Sequence, residues 1–136
     1  MLKAANKIRV AVVEDSALFR DRVECFLGQE CNAFVVGAAA TVSAAILLIH
    51  QQHPDLLLLD VLLEGGTGVA VLDYLRSADE RIPVVIMTNA PSRELENCCF
   101  ALGAEWCLDK LRIADAVPGI CSEVALKTSS RIYSNN

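Results

Sequence analysis

Five polar residues of this chain stand at the ends of short apolar runs. Glu14 and Asp15 follow Ile8–Val13, Asp60 closes Leu56–Leu59, Thr88 closes Val84–Met87, and Lys110 follows Trp106–Asp109. Three carboxylates gathered in one crevice repel one another, and all stay ionised only beside a positive charge. Mg²⁺ suits that role, because it takes oxygen ligands, keeps several waters and commonly combines one or two carboxylates with phosphate oxygens. A carboxylate such as that of Asp60 can attack phosphorus as a nucleophile and give an aspartyl phosphate. Mg²⁺ and the Lys110 ammonium would neutralise charge on the equatorial oxygens during transfer. The Thr88 hydroxyl can donate a hydrogen bond to one of those oxygens.

That chemistry requires a scaffold that brings the five residues together. The chain reads as alternating strands and helices. The strands are Ile8–Val13, Phe34–Ala38, Leu56–Leu59 closed by Asp60, Val84–Met87 closed by Thr88, and Trp106–Asp109. Apolar residues at helical spacing mark the helices between them: Phe19, Val23, Phe26 and Leu27; then Val42, Ala45, Ile46 and Ile49 behind a Thr41 cap. They continue with Val69, Leu72 and Leu75; Leu95, Cys98, Cys99 and Leu102; and Val117, Ile120, Cys121 and Val124. Asp115 is the expected cap of the last helix, with Pro118 in its first turn. Five strands alternating with five helices imply a three-layer, doubly wound α/β fold with a parallel sheet covered on both faces. In such sheets, sites form beyond the carboxyl ends of the strands, where the winding direction switches. All five polar residues then lie along one sheet edge.

Composition narrows the partners. The chain has 136 residues, a length suited to one domain, and is 54% hydrophobic with 5% aromatic residues, so the core must be aliphatic. A net charge of -5 without a Lys/Arg cluster argues against a nucleic-acid surface. No apolar stretch reaches membrane-spanning length, and the start lacks a signal-peptide pattern, so a cytoplasmic location is expected. The six cysteines form no CxxC pair and sit mainly in patterned apolar segments, which reads as buried, reduced thiols. His50 and His53 lie near a helix end without an evident third ligand. Gly65, Gly66 and Gly68 lack the lysine of a phosphate loop and read as a turn.

Val13-Glu14-Asp15-Ser16, Leu59-Asp60-Val61, Thr88 and Lys110 resemble the receiver domain of two-component response regulators. Pro54 through Asp60, and Gly103-Ala104-Glu105 leading to Asp109-Lys110, fit the same pattern, so the likeness runs from about Ile8 to Ala125. It implies a flavodoxin-like sheet with strand order second, first, third, fourth, fifth. It further implies a stand-alone, chemotaxis-regulator-like switch rather than an enzyme, with residues 8–126 as the receiver, 1–7 as an N-terminal extension and 127–136 as a polar tail. By the resemblance Asp60 is the phosphoacceptor and Asp15 a direct Mg²⁺ ligand. Asp60 and the Leu62 backbone carbonyl complete the protein ligands, while Glu14 acts through a metal-bound water. Thr88 and Lys110 hold the phosphoryl oxygens, and Asn89, Trp106 and Cys107 form the switch region. The implied partners are a sensor histidine kinase or phosphotransfer protein and a downstream protein target, with the fourth helix, fifth strand and fifth helix as the face for any homodimer. Carriage of phosphate within a relay, or binding without phosphorylation, are the alternatives.

Four positions depart from the family pattern. Cys107 stands where an aromatic is usual, with Trp106 one residue earlier; Leu111 replaces a proline after the lysine; Glu64 replaces the loop proline; and Asn89 follows the threonine where a smaller residue is common. Two other functions fit the layer architecture less well. An aspartate-nucleophile phosphohydrolase would need an acid at position 62, which is Leu62. A mononucleotide-binding flavoprotein would need a Ser/Thr/Gly-rich loop where Glu14 and Asp15 stand.

Overall fold

The structure is a computed structural model and describes residues 7–134. Its strands are β1 (Ile8–Val13), β2 (Ala33–Ala39), β3 (Leu56–Asp60), β4 (Leu62–Leu63), β5 (Gly66–Thr67), β6 (Val84–Thr88) and β7 (Trp106–Asp109). Its α-helices are α1 (Ala17–Glu30), α2 (Val42–Gln52), α3 (Gly68–Ser77), α4 (Arg93–Ala101) and α5 (Ile113–Ser134). Five strands form one parallel sheet in the order β2-β1-β3-β6-β7. This is the expected order, with the small β4–β5 antiparallel hairpin added.

Consecutive strand residues point to opposite sheet faces, and the aliphatic runs divide accordingly into two cores. Val10, Val12, Leu56, Leu58, Val85 and Met87 pack with α1 and α5 on one face. Ala11, Val13, Leu57, Leu59, Val84 and Ile86 pack with α2, α3 and α4 on the other. An unbroken run such as Leu56–Leu59 is therefore required, since every second residue serves a different core. Each such leucine, wholly removed from solvent, stabilises the fold by about 1.5–3 kcal/mol.

The helices begin where side-chain oxygens can take the free first-turn N–H groups. Ser16 accepts from Phe19 N, Thr41 from Ala44 N and Ser92 from Leu95 N, at 3.2, 3.2 and 3.1 Å. Asp115 does not cap the last helix. A 3₁₀ turn at Lys110–Arg112 leads straight into α5, and Asp109 accepts from Leu111 N at 3.0 Å instead. Asp115 thus lies in the first turn of α5, and Pro118 lies within the helix. The helix also continues beyond Leu126 to Ser134, through residues that include neither Gly nor Pro to stop it. Residues 1–6, most of the expected extension, and 135–136 lie outside the described residues.

The cysteines divide differently from the expectation. Cys31, Cys99 and Cys121 are buried and Cys107 is half-buried, but Cys25 and Cys98 are exposed, and all six are free thiols. On α4, Cys99 faces the core and Cys98 turns outward, because neighbours on a helix lie about 100° apart. Burial pushes the Cys99 thiol up to about 11 and that of Cys121 to about 12, so both stay protonated.

Candidate functional site

The parallel register aligns the strand ends. Val13 pairs with Leu59, Asp60 with Met87, and Thr88 with Asp109. Beyond β1 the chain is held by the Glu14 N–H, which donates to Ala39 O at 2.8 Å, and by the Arg20 guanidinium, which donates to Glu14 O at 2.6 Å. Beyond β3 the chain turns through the β4–β5 hairpin, where Gly65 adopts φ 75°. This is the turn expected of the three glycines. Gly68 then passes so close to β3 that a Cβ there would lie 2.5 Å from the Asp60 carbonyl oxygen. A side chain at position 68 would have to displace the backbone that carries Asp60.

Glu14, Asp60 and Thr88 are buried, while Asp15 is exposed. Lys110 reaches across the sheet edge, and its Nζ donates to Glu14 Oε2 at 2.8 Å and Asp60 Oδ2 at 3.0 Å. The other oxygen of each acid accepts a backbone N–H at 3.2 Å, Ser16 N for Glu14 and Leu62 N for Asp60. Thr88 Oγ1 accepts from Ala90 N at 3.0 Å, which leaves its own proton to donate. These residues line one open cavity, with Asn89 and Leu62 on its wall. Trp106 and Cys107 do not line it. They project to opposite faces of β7, Trp106 against the α1–α5 core and Cys107 against the α2–α4 core. The tryptophan therefore does not supply the aromatic that position 107 lacks. The Lys127 ammonium lies 5.9 Å from the centre of the Trp106 ring.

Burial is the main cause that raises the Glu14 carboxyl above its ordinary value; the Asp60 carboxylate adds to the rise and Lys110 opposes it. Burial works to lower the Lys110 ammonium, but its hydrogen bonds to Glu14 and Asp60 and their charges prevail and raise it. Carboxylate oxygens of Glu14, Asp15 and Asp60 all lie within 4.8 Å of one another, the only grouping of three such ligands among the described residues. Three carboxylates outnumber the Lys110 ammonium and the Arg22 guanidinium that line the same cavity, and the all-oxygen donor set fits Mg²⁺. The histidines form no comparable set: their rings are 6.3 Å apart, and only His53 approaches an acid, Glu80, at 3.7 Å. No peptide bond among the described residues is cis, so Lys110–Leu111 is trans and Leu111 projects into solvent.

Sequence reasoning placed Phe19 only in the apolar stripe of α1 and did not single out Arg20. Phe19 also lines the cavity, with the Lys110 ammonium 4.6 Å from its ring centre. The signal was the Ser16 cap, which sets Phe19 in the first helical turn, beside the sheet edge.

The chain is similar to known proteins in sequence and in fold. Residues 10–116 match the family model described as the response regulator receiver domain. The chain is 34% identical over 99 residues to a protein-glutamate methylesterase/protein-glutamine glutaminase from Anaeromyxobacter dehalogenans, covering 73% of this chain and 27% of that protein. It is 38% identical over 82 residues to the phosphate regulon transcriptional regulatory protein PhoB of Escherichia coli, covering 59% and 35%. It thus spans about a quarter to a third of these curated relatives. Among solved structures, the signal receiver domain of a Luxo repressor protein from Vibrio parahaemolyticus superposes with a TM-score of 0.85 at 25% identity, covering 96% of this chain and 98% of that one. That of NarL from Mycobacterium tuberculosis gives 0.77 at 30% identity, covering 86% and 98%. No described helix is long and apolar enough to cross a membrane. With residues 10–116 matching that family model and the sheet ordered β2-β1-β3-β6-β7, the chain belongs to the receiver domains of two-component response regulators.

Proposed function

We propose that this chain is a phosphoacceptor switch in which Asp60 takes a phosphoryl group from a phosphohistidine on a sensor kinase or phosphotransfer protein. The observation that carries the reading is the single ammonium of Lys110 bridging Glu14 and Asp60, with the Asp15 carboxylate in the same cluster. Asp15, Asp60 and the Leu62 carbonyl would hold Mg²⁺ directly and Glu14 through a water. Bound there, Mg²⁺ supplies charge neutralisation for the incoming phosphoryl oxygens. An Asp60 oxygen attacks phosphorus, the P–N bond to the donor imidazole breaks, and the bonding pair leaves with the nitrogen. Lys110 and Thr88 donate to the phosphoryl oxygens, so the chain assists its own modification without turning over a substrate. Incubation with acetyl phosphate and Mg²⁺ should add one base-labile phosphoryl group, read by intact mass. EDTA should stop the reaction, and Asp15→Asn should raise the Mg²⁺ concentration it needs. Equal labelling in EDTA would overturn the metal-binding role given to Glu14 and Asp15.

The signal then has to leave the site. Thr88 can be drawn toward the phosphate, and it begins the loop that leads into α4. Cys107 is too small to follow as an aromatic would, and Trp106 faces the other way. We therefore place the response in the Thr88–Pro91 loop, including Asn89, and in α4, with altered binding of a downstream protein as the output. Phosphorylation or beryllofluoride should change amide exchange across residues 88–102, and Cys107→Ala should leave that change intact. Loss of the change in that variant would make the thiol the coupling element.

A further inference from the structure

We propose that Phe19 is a positioning residue that holds the Lys110 ammonium over Asp60 through the face of its ring; the inference rests on Asp60 being the phosphoacceptor. An ammonium has three N–H donors. Two of those on Lys110 go to Glu14 and Asp60, and the Phe19 ring centre lies 4.6 Å away. The electron-rich ring face attracts a cation within about 6 Å. The ring is itself fixed, half-buried and packed against the core beneath α1, in the first turn behind the Ser16 cap. Lysine carries a flexible four-carbon stem, and holding its head in one place costs rotamer freedom. Phe19 restricts that freedom and keeps water from one side of the ammonium. Its contact is also independent of the charge on Asp60. When Asp60 becomes an acyl phosphate and its oxygen no longer carries the acceptor charge, the ring still keeps the ammonium in the cavity, within reach of the phosphoryl oxygens.

Site-specific replacement of Phe19 by mono-, di- and trifluorinated phenylalanine separates this role from packing, because the ring keeps its shape while its face loses negative potential. The initial rate of labelling by acetyl phosphate at saturating Mg²⁺ should fall stepwise, by roughly threefold to tenfold at the trifluorinated ring, with thermal stability unchanged. Phe19→Leu should slow labelling to a similar degree. It should also abolish the upfield ring-current shift of the Lys110 ε-methylene protons, a readout that needs no phosphorylation. A rate indifferent to fluorination, or Lys110 resonances that do not move in Phe19→Leu, would overturn the assignment while leaving Asp60 as phosphoacceptor. Failure of the unmodified chain to label would overturn the parent reading and this inference together.

Discussion

Asp60→Asn is expected to take up no phosphoryl group from acetyl phosphate and, without Mg²⁺, to unfold no more readily than the parent chain. The loss of labelling follows from chemistry, since an amide oxygen is a poor nucleophile toward phosphorus and cannot form the acyl phosphate. The retained stability follows from electrostatics. The cluster carries three formal negative charges and one positive, and Glu14 and Asp60 are both buried. Asparagine removes one negative charge; its amide oxygen can accept from the Leu62 N–H that Asp60 engages at 3.2 Å, and its NH2 group then faces Lys110, which must turn to Glu14. Lys110 loses one charged partner but keeps Glu14 at 2.8 Å. Relief of repulsion between close carboxylates is worth on the order of 1 kcal/mol here, a rise in thermal midpoint of about 3–5 °C for a domain of this size. Intact mass and calorimetry of the two proteins without metal test both halves. Labelling of Asp60→Asn at another residue would sink the phosphoacceptor assignment. A fall of several degrees would mean that the Lys110–Asp60 pair outweighs the repulsion.

The strand ends were legible because a strand covered on both faces leaves an unmistakable trace. Leu56–Leu59 and Val84–Met87 allow no polar residue until the last position of each strand, so that first polar side chain marks the edge where chemistry collects. Lys110 lacks that trace, since β7 is half-buried and already ends on the polar Asp109; only its place after the fifth strand assigned it to the edge. What the sequence concealed depends on side-chain direction and on contacts between distant elements. Trp106 and Cys107 look interchangeable as neighbours, but strand alternation sends them to different cores. Cys98 and Cys99 look like one stripe, but the helix turns only one of them inward. The start of α5 was misplaced because Asp115 has the right chemistry for a cap, while Asp109 reaches the free N–H first through a 3₁₀ turn. Phe19 satisfied an apolar periodicity, and nothing in that periodicity distinguishes a ring packed on leucine from one that faces an ammonium.

Lys110→Met should be the most destabilising single change at the site, most strongly near neutral pH without metal. Methionine keeps the length of the stem and removes the charge. It leaves Glu14 and Asp60, whose side chains are 1% and 8% exposed, facing one another without a cation. Breaking a buried ion pair costs about 3–5 kcal/mol, and the open cavity should reduce this to roughly 2–4 kcal/mol. The pH dependence then has a definite sign. In the parent, Glu14 is raised above 4.5, so from pH 4.5 up to that raised value the folded chain binds more protons than the unfolded one, and stability falls as pH rises. Lys110 opposes that rise, so its removal lifts Glu14 further and extends the window upward. Acidification into the window should therefore recover much of what Lys110→Met loses. At the alkaline end the parent forfeits its own advantage. Lys110 is raised above 10.5, and its stabilisation, complete below 10.5, disappears as pH rises through the folded value. The gap between the two proteins should accordingly be widest between the raised Glu14 value and 10.5 and narrow on both sides. Mg²⁺ should close it too, because an ion bound only by the folded state stabilises by about 2.7 kcal/mol at a hundred times its Kd, and the variant presents the more negative site. Urea titrations followed by far-ultraviolet circular dichroism at pH 5, 8 and 11, with and without Mg²⁺, measure each step. A stability difference that stayed constant across pH would mean that the Lys110 stem, and not its charge, supports the fold.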